Sequence, residues 1–446
     1  MKEHTVKTVK YIVQAGLVFA CTLCVLCVLF LLSARIPREA LKENILSSAY
    51  RMEEQGERYE MKEGKPWTRM DNYADAEWLN ILYSLDPDRP WQTMLESPIY
   101  VDFGGNEDSL VHALILRTEQ DLPANTVYDR YWHGMVMLLC PLLAFMDMEE
   151  IYRFMAAVFV LLFLLLCALL YRRKLLWLAA VLAALLLPCG MQYMPFCAEY
   201  WPCWLIALLF MIYILIRKPG MREGSFLMLA AGTAAAYMDF LTTETVTFGL
   251  PFLALLLLWE QDRPETGAAE YLLCLIRSGA LWAAGYAGAL LAKWTGSSLL
   301  LGENRIDFAL NKAVYWESGY TDTPGGAEAV LENLRMVFPF RGITGSLDLL
   351  LLCLGIATAL FCFVFLFRRT DAPAVCPALL AAACIPLLRF LALPLHAEYH
   401  AFFTFRALYL TLAALAAYIA KMTDWQSAGR YLRKILPVLH GKHNRK

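Results

Sequence analysis

The chain has 446 residues, 59% of them hydrophobic, with a mean hydropathy of +0.47 and a formal net charge of −2. That balance excludes a string of water-soluble domains and points to one polytopic bundle whose apolar surface meets lipid. Lys and Arg cluster in twos and threes beside apolar segments, so the pattern excludes a basic domain that would neutralise nucleic-acid phosphates.

Lys2, Lys7 and Lys10 precede an apolar run over 11–33. At about 23 residues the run exceeds a signal-peptide core of roughly 7–15, and no small-residue cleavage site follows. Residues 1–33 are therefore expected to form an uncleaved signal-anchor helix with its N-terminus inside. Cys21, Cys24 and Cys27 lie within it without polar neighbours and are read as small hydrophobes. Residues 34–153 form a large extracytoplasmic loop with interfacial helices. Its segment 134–145 is apolar but short, is interrupted by Pro141 and precedes Asp147, Glu149 and Glu150. Such a segment lies in the interface or re-enters, being too short to span.

A transmembrane bundle follows over 154–420, with spans expected at 154–170, 175–190, 202–216, 226–241, 246–259, 271–292, 347–367, 375–394 and 402–420. With the first helix these make about ten, an all-α polytopic membrane protein. The spans 202–216 and 246–259 are short and must borrow flanking aromatics or be broken. A second outer loop covers 293–346, and 421–446 is a basic cytoplasmic tail, in which 424–439 reads either as a helix on the leaflet or as a solvated tail.

Alternating ten spans from an inside N-terminus places every basic cluster on one side: Arg172, Arg173 and Lys174; Arg217, Lys218 and Arg222; Arg368 and Arg369; Lys421 and the tail. By the positive-inside rule that side is cytoplasmic and both termini lie there, in a cell (plasma) membrane. Arg277, on the inner part of its span, is expected to snorkel to the same face. Cys189, Cys197 and Cys203 emerge on the outer side, where a disulfide can form and one thiol is left over.

Four constellations carry unusual chemistry, all on the outer side. Asp71 and Asp75 are four residues apart in Asp71-Asn72-Tyr73-Ala74-Asp75-Ala76-Glu77-Trp78, one helix face suited to a general base, a divalent cation or N-capping. Tyr128-Asp129-Arg130-Tyr131-Trp132-His133-Gly134 combines belt aromatics with Arg130 and His133, which can grip a phosphate or orient a hydroxyl. Asp239 and Glu244 fall in the outer third of the bilayer, where a carboxylate costs about 2.5–3.5 kcal/mol and calls for a cationic partner or water. Arg389, His396, His400 and Arg406 form the densest cationic group, able to hold an anion or to pair with those acids. His396 and His400 have zinc-ligand spacing, but the HExxH order is absent and Pro394 favours a loop, so no metal site is expected. Glu199 adds one more outer carboxylate that alone means little.

These groups suit an amphipathic substrate with an anionic head at the interface. In layout, with a signal-anchor helix, a long acidic first outer loop, an apolar interfacial helix and many spans, the chain resembles the GT-C class of glycosyltransferases. The resemblance implies a lipid-linked sugar donor of polyprenyl-phosphate type, an envelope glycan or lipid as acceptor, contacts with membrane lipids and no nucleic-acid partner. It implies that Asp71 or Asp75 acts on the acceptor, that Arg389, His396, His400 and Arg406 hold the phosphate, and that a divalent cation is compatible but not required. Segments such as Tyr131-Trp132-His133-Gly134 and Asp239-Phe240-Leu241-Thr242 also resemble poorly described bacterial polytopic membrane proteins, implying a bacterial envelope protein. The competing readings are a transporter or flippase whose outer charges line a pathway, and a non-catalytic envelope assembly protein.

Overall fold

The computed structural model describes residues 2–104, 109–318, 325–366 and 372–425. The chain is a mostly helical membrane protein. Helix α1 (Lys2–Ser33) is the long first apolar run, and α2 (Glu39–Gln55) opens the loop that follows. A short antiparallel pair, β1 (Arg58–Glu60) and β2 (Arg69–Asp71), leads into α3 (Asn72–Tyr83), whose N-cap Asp71 accepts from the Ala74 amide at 3.2 Å. Helix α4 (Pro90–Glu96), β3 (Pro98–Ile99), α5 (Leu110–Gln120) and β4 (Thr126–Val127) complete the loop layer, with β3 and β4 paired antiparallel. The segment expected at the interface forms α6 (Val136–Leu143), which buries Val136, Leu139, Cys140 and Leu143 and leaves Phe145 exposed.

Helix α7 (Met148–Arg172) starts at a capping box on Asp147 and Glu150, and its 25 residues carry the chain about 37 Å. At its far end Arg173 donates to the Leu215 and Ile216 carbonyls that end α9 (Trp201–Arg217), after α8 (Leu176–Leu185) has run partway back. Helices α10 (Met221–Met238) and α11 (Thr245–Asp262) are largely buried, and α12 (Ala268–Leu301) packs along α10. Every residue of α11 from Thr245 to Trp259 is buried. Helices α10 and α12 meet backbone to backbone, because a Cβ on Gly232 would fall 2.1 Å from the Trp282 carbonyl and one on Gly285 2.2 Å from that of Leu229. Small residues allow this approach, the usual basis of helix association where lipid offers no hydrophobic drive.

After α12 come α13 (Arg305–Ser318) and α14 (Gly326–Arg335), then α15 (Ser346–Leu366). The chain ends its described part with α16 (Cys376–Ala383), α17 (Ile385–Ala392), α18 (Pro394–Tyr399), α19 (Ala401–Thr404) and α20 (Leu408–Met422). Buried Asn333 latches α14 to this corner, donating to the Ala397 carbonyl and accepting from the Thr404 hydroxyl, each at 2.7 Å.

Among the described residues, five helical stretches are long and apolar enough to cross a bilayer: Thr8–Ser33, Met148–Arg172, Ala198–Arg217, Ala268–Leu301 and Ala401–Met422. The other expected spans take different forms. Helix α8 stops after 10 residues, α10 and α11 are 18 residues each and shielded by neighbours, and 375–394 is split at Cys384 ahead of Pro386. A proline there removes a helical N–H donor, and the helix is interrupted at the single residue Cys384, which keeps right-handed helical dihedrals. Residues 293–301, expected in the second outer loop, instead extend α12. Lys293 can continue the helix because its Nζ donates to the Met94 carbonyl at 2.6 Å and the Ser97 hydroxyl at 3.0 Å.

Arg277, expected to snorkel, donates to the Tyr11 hydroxyl at 2.9 Å and ties α12 to α1. Cys189, Cys197 and Cys203 are buried and unbridged. The expected tail helix at 424–439 lies outside the described residues apart from its first two.

Candidate functional site

Two of the segments singled out by the sequence interlock. At the end of α10, Asp239 accepts from the Thr242 amide at 2.8 Å and from its hydroxyl, and Leu241 takes a left-handed φ of +71°. The turn sends Phe240 into the loop, where its ring stacks on Trp78 with centroids 4.0 Å apart and lies 5.5 Å from Tyr131 and 5.0 Å from His133. The 128–134 segment is pinned in return. Trp132 donates to the Ala289 carbonyl at 2.7 Å, the Gly134 amide donates to the Tyr237 carbonyl at 2.9 Å, and Arg305 grips Asp129 with two bonds of 2.6 and 2.8 Å. Only glycine fits at 134, since a Cβ would lie 2.6 Å from the Tyr237 carbonyl oxygen.

His133 is part of that clamp. Its Nε2–H donates to the Tyr128 carbonyl at 2.9 Å, the ring is enclosed by Trp78, Tyr128, Tyr131 and Phe240, and burial followed by the charge of Lys293 pushes its pKa well down. A neutral, enclosed imidazole cannot grip a phosphate as a cation.

The two loop aspartates are both bonded into the scaffold. Asp71 caps α3 and faces Arg58 Nε at 3.3 Å, while burial, opposed by Arg58, raises its pKa. Asp75 accepts from the Tyr152 hydroxyl at 2.6 Å and from the Ala198 and Glu199 amides at 2.9 and 3.0 Å. It thus pins α3 to the start of the Ala198–Arg217 span, and burial raises its pKa to about 6 against the pull of those three donors.

Glu77 and Glu199 are different. Both are buried, at 7% and 6% exposure, and each keeps one carboxylate oxygen without a partner. Burial, opposed by Arg130, raises the Glu77 pKa to about 8. Glu199 lies within electrostatic reach of Asp71, Asp75, Asp239 and Glu77, so loop and bundle acids share one region.

The cations divide. Arg389 Nε binds Glu244 at 2.9 Å, and its NH2 donates to the Leu241 carbonyl at 2.9 Å and contacts His396 Nδ1 at 3.1 Å. Glu244 therefore has the cationic partner that its depth requires, whereas Asp239 is held by Thr242. Arg389 NH1, Glu244 Oε2 and His400 Nδ1 are buried without partners. The His396 and His400 rings lie 4.6 Å apart at a tilt of 43°, and Trp316 of α13 packs against both, edge-on to His396. Both are held neutral: burial and then Arg389 lower the His396 pKa, and burial, Arg58 and Arg389 bring His400 to about 3. Arg130 lies over the rings of Tyr128 and Tyr131 and donates to the Tyr128 hydroxyl at 2.8 Å. Arg406 stands apart from this group, with its contacts on Phe402, Trp67, Tyr200 and Phe405.

Tyr131 marks where the rest converge. Its phenol lies within electrostatic reach of Arg130, Glu77, Asp239 and Arg389. Arg58, which contacts Asp71 and the Tyr399 hydroxyl, brings a further cation toward His400. The result is a buried layer between loop and bundle in which unpartnered N–H groups and unpartnered carboxylate oxygens occur together. Such atoms are costly to bury and are normally satisfied by water or ligand.

Sequence reasoning passed over Glu77, Arg58 and Tyr131 as functional groups. Glu77 lies two residues from Asp75, so the helical spacing that singled out Asp71 and Asp75 turned attention to another face. Among the described residues no cluster of three or more His, Cys, Asp or Glu is arranged to hold a metal ion. No family model, curated protein or solved structure matches the chain.

Proposed function

We propose that the protein is a membrane glycosyltransferase of GT-C type that moves a sugar from a polyprenyl-phosphate donor to an envelope acceptor. The observation that carries this reading is that the unpartnered N–H of Arg389 and the unpartnered carboxylate oxygen of Glu77 both belong to groups within electrostatic reach of Tyr131, with Glu199 in turn within reach of Glu77. Glycosyl transfer needs both signs at one place, a cation for the departing phosphate and a base for the incoming hydroxyl.

In this mechanism Arg389, with Arg58 and Arg130 nearby, binds the donor phosphate. The acceptor oxygen forms the new bond to the anomeric carbon, and its proton passes to Glu77. The bond from that carbon to the phosphate oxygen breaks, and its electron pair stays on the phosphate, held by the guanidinium groups. Asp71 and Asp75 act as scaffold, keeping Glu77 and Glu199 in place. The Trp78–Phe240 stack, His133 and Trp316 of α13 close the region to bulk water, which strengthens each charge interaction.

The orientation is part of the proposal. Lys218, Asp262, Glu260 and Lys421 meet at the end of the bundle away from the loop, near Arg173. Its basic excess supports a cytoplasmic assignment, with about ten spans in all and the loop layer outside.

The test uses purified protein in liposomes with a panel of polyprenyl-phosphate hexoses. Consumption of one donor with release of polyprenyl phosphate supports the proposal. Movement of the intact lipid across the bilayer without consumption would overturn it in favour of a flippase.

A further inference from the structure

Arg406 is 1% exposed. Its guanidinium donates to the Phe402 carbonyl at 3.0 Å and the Trp67 carbonyl at 3.4 Å and lies over the Tyr200 and Phe405 rings, while its Nε has no partner. Among the described residues no carboxylate pairs with it. A second guanidinium approaches the same tryptophan from the other loop: Arg341 lies 4.8 Å above the Trp67 ring. Arg341 binds Asp348 through NH2 at 3.3 Å, but its Nε and NH1 are buried without partners. Both arginines lie within electrostatic reach of Cys189.

Two guanidiniums and one carboxylate leave a net positive charge and three unsatisfied N–H groups in a buried place. Water can accept the N–H bonds, but only an anion also offsets the charge. A guanidinium pair matches the oxygens of a phosphoryl group in both number and geometry.

The segment that carries Cys189 also borders an apolar cavity. Leu186, Leu187 and Met191 line one side of a space of about 640 Å³, which continues over Phe163, Trp204 and Tyr409. Tyr409 itself lies within electrostatic reach of Cys189, so the cavity and the arginine pair adjoin across one short stretch of chain. The arginine pair supplies a polar end and the adjoining cavity, lined almost wholly by apolar side chains, a hydrocarbon one, which is the division of a phosphate-headed lipid.

We propose that Arg341 and Arg406 form a second anion site, distinct from the one at Arg389, which holds the phosphoryl head of a lipid whose chain lies in the cavity lined by Phe163, Trp204 and Tyr409. This site stands whether or not the protein transfers sugar, because its residues are not those assigned to the reaction.

The experiment is photolabelling of the full chain in phosphate-free detergent with hexadecyl phosphate carrying a diazirine in its chain, followed by peptide mapping. Labels are expected at 156–166 and 204–211, with Arg341→Gln reducing them about tenfold or more, the effect of one lost charge-assisted bond. Arg341 sits in a loop, so this variant keeps the test valid should Arg406→Gln fail to fold. Labelling that inorganic phosphate at equal concentration abolishes would support the phosphoryl site but overturn the lipid as its source. Labels absent from these peptides, or equally strong in a folded Arg341→Gln protein, would overturn the proposal.

Discussion

Phe240 of the α10–α11 turn stacks on Trp78 of the loop helix with ring planes 7° apart, so a bundle residue and a loop residue share one face-to-face contact. This stack joins the two halves of the candidate site alongside the Arg305–Asp129 pair and the bonds from the Ala198 and Glu199 amides to Asp75. Removing it by Phe240→Ala is expected to destabilise the protein by about 2 kcal/mol, less than the roughly 3–5 kcal/mol of a fully buried phenylalanine, because Phe240 is only partly buried. Hydrogen exchange should quicken over 72–83 while the far ends of α7 and α9 stay protected. Uniform loosening of the whole bundle would contradict a local role.

The Glu244–Arg389 pair is buried on both sides, and single replacement leaves a lone charge. Glu244→Gln or Arg389→Gln should each cost about 3–5 kcal/mol of stability. The double variant should recover much of that loss, since both charges then leave together. Melting temperatures of the four proteins complete the cycle, and additive losses would mean that the two residues do not act as a pair.

Gly134 offers a sharper test of the clamp. Gly134→Ala places a methyl against the Tyr237 backbone oxygen, which cannot swing away as a side chain can. A loss of about 1–3 kcal/mol is expected. Tyr237→Ala should not rescue it, because the clash is with backbone; rescue would show that the aromatic ring alone sets the limit.

Glu77 couples stability to pH. Burial raises the pKa of its carboxyl to about 8 in the folded protein against an ordinary value of 4.5. The folded state therefore binds the extra proton between those values, so stability is greatest below about 4.5 and falls as pH rises through about 8. The loss is on the order of a few kcal/mol. Glu77→Gln should flatten the melting profile over that window. Activity should move the opposite way in the wild type, rising toward about pH 8 as the base loses its proton.

Much of the framework is legible in the sequence, and the reasons are physical. The long apolar runs at 11–33 and 154–170 cannot be satisfied except by helices, and Asp71 sits where an N-cap belongs. The need of Glu244 for a cation follows from the cost of a buried carboxylate, and Arg389 meets it. What the sequence hides is which acids end up bonded. Asp75 is occupied by Tyr152 and by two amides of a turn 123 and 124 residues away, and nothing local foretells those partners. Glu77 and Glu199 each keep a free oxygen for the complementary reason, since among the described residues no donor from another element reaches it. The extension of α12 past 292 was hidden likewise, because Lys293 reads as a loop charge until α4 supplies its acceptors.

The proposed reaction is tested most directly by polyprenyl phosphate release from the donor that the wild-type protein consumes, measured at matched amounts of folded wild type, Asp75→Asn and Glu77→Gln. Glu77→Gln should lower turnover by roughly 10²-fold or more, the contribution of a positioned base, with donor binding retained. Asp75→Asn should lose stability while keeping most turnover per folded molecule. Full turnover in Glu77→Gln together with abolished turnover in a folded Asp75→Asn protein would contradict the assignment and return the catalytic role to the aspartate.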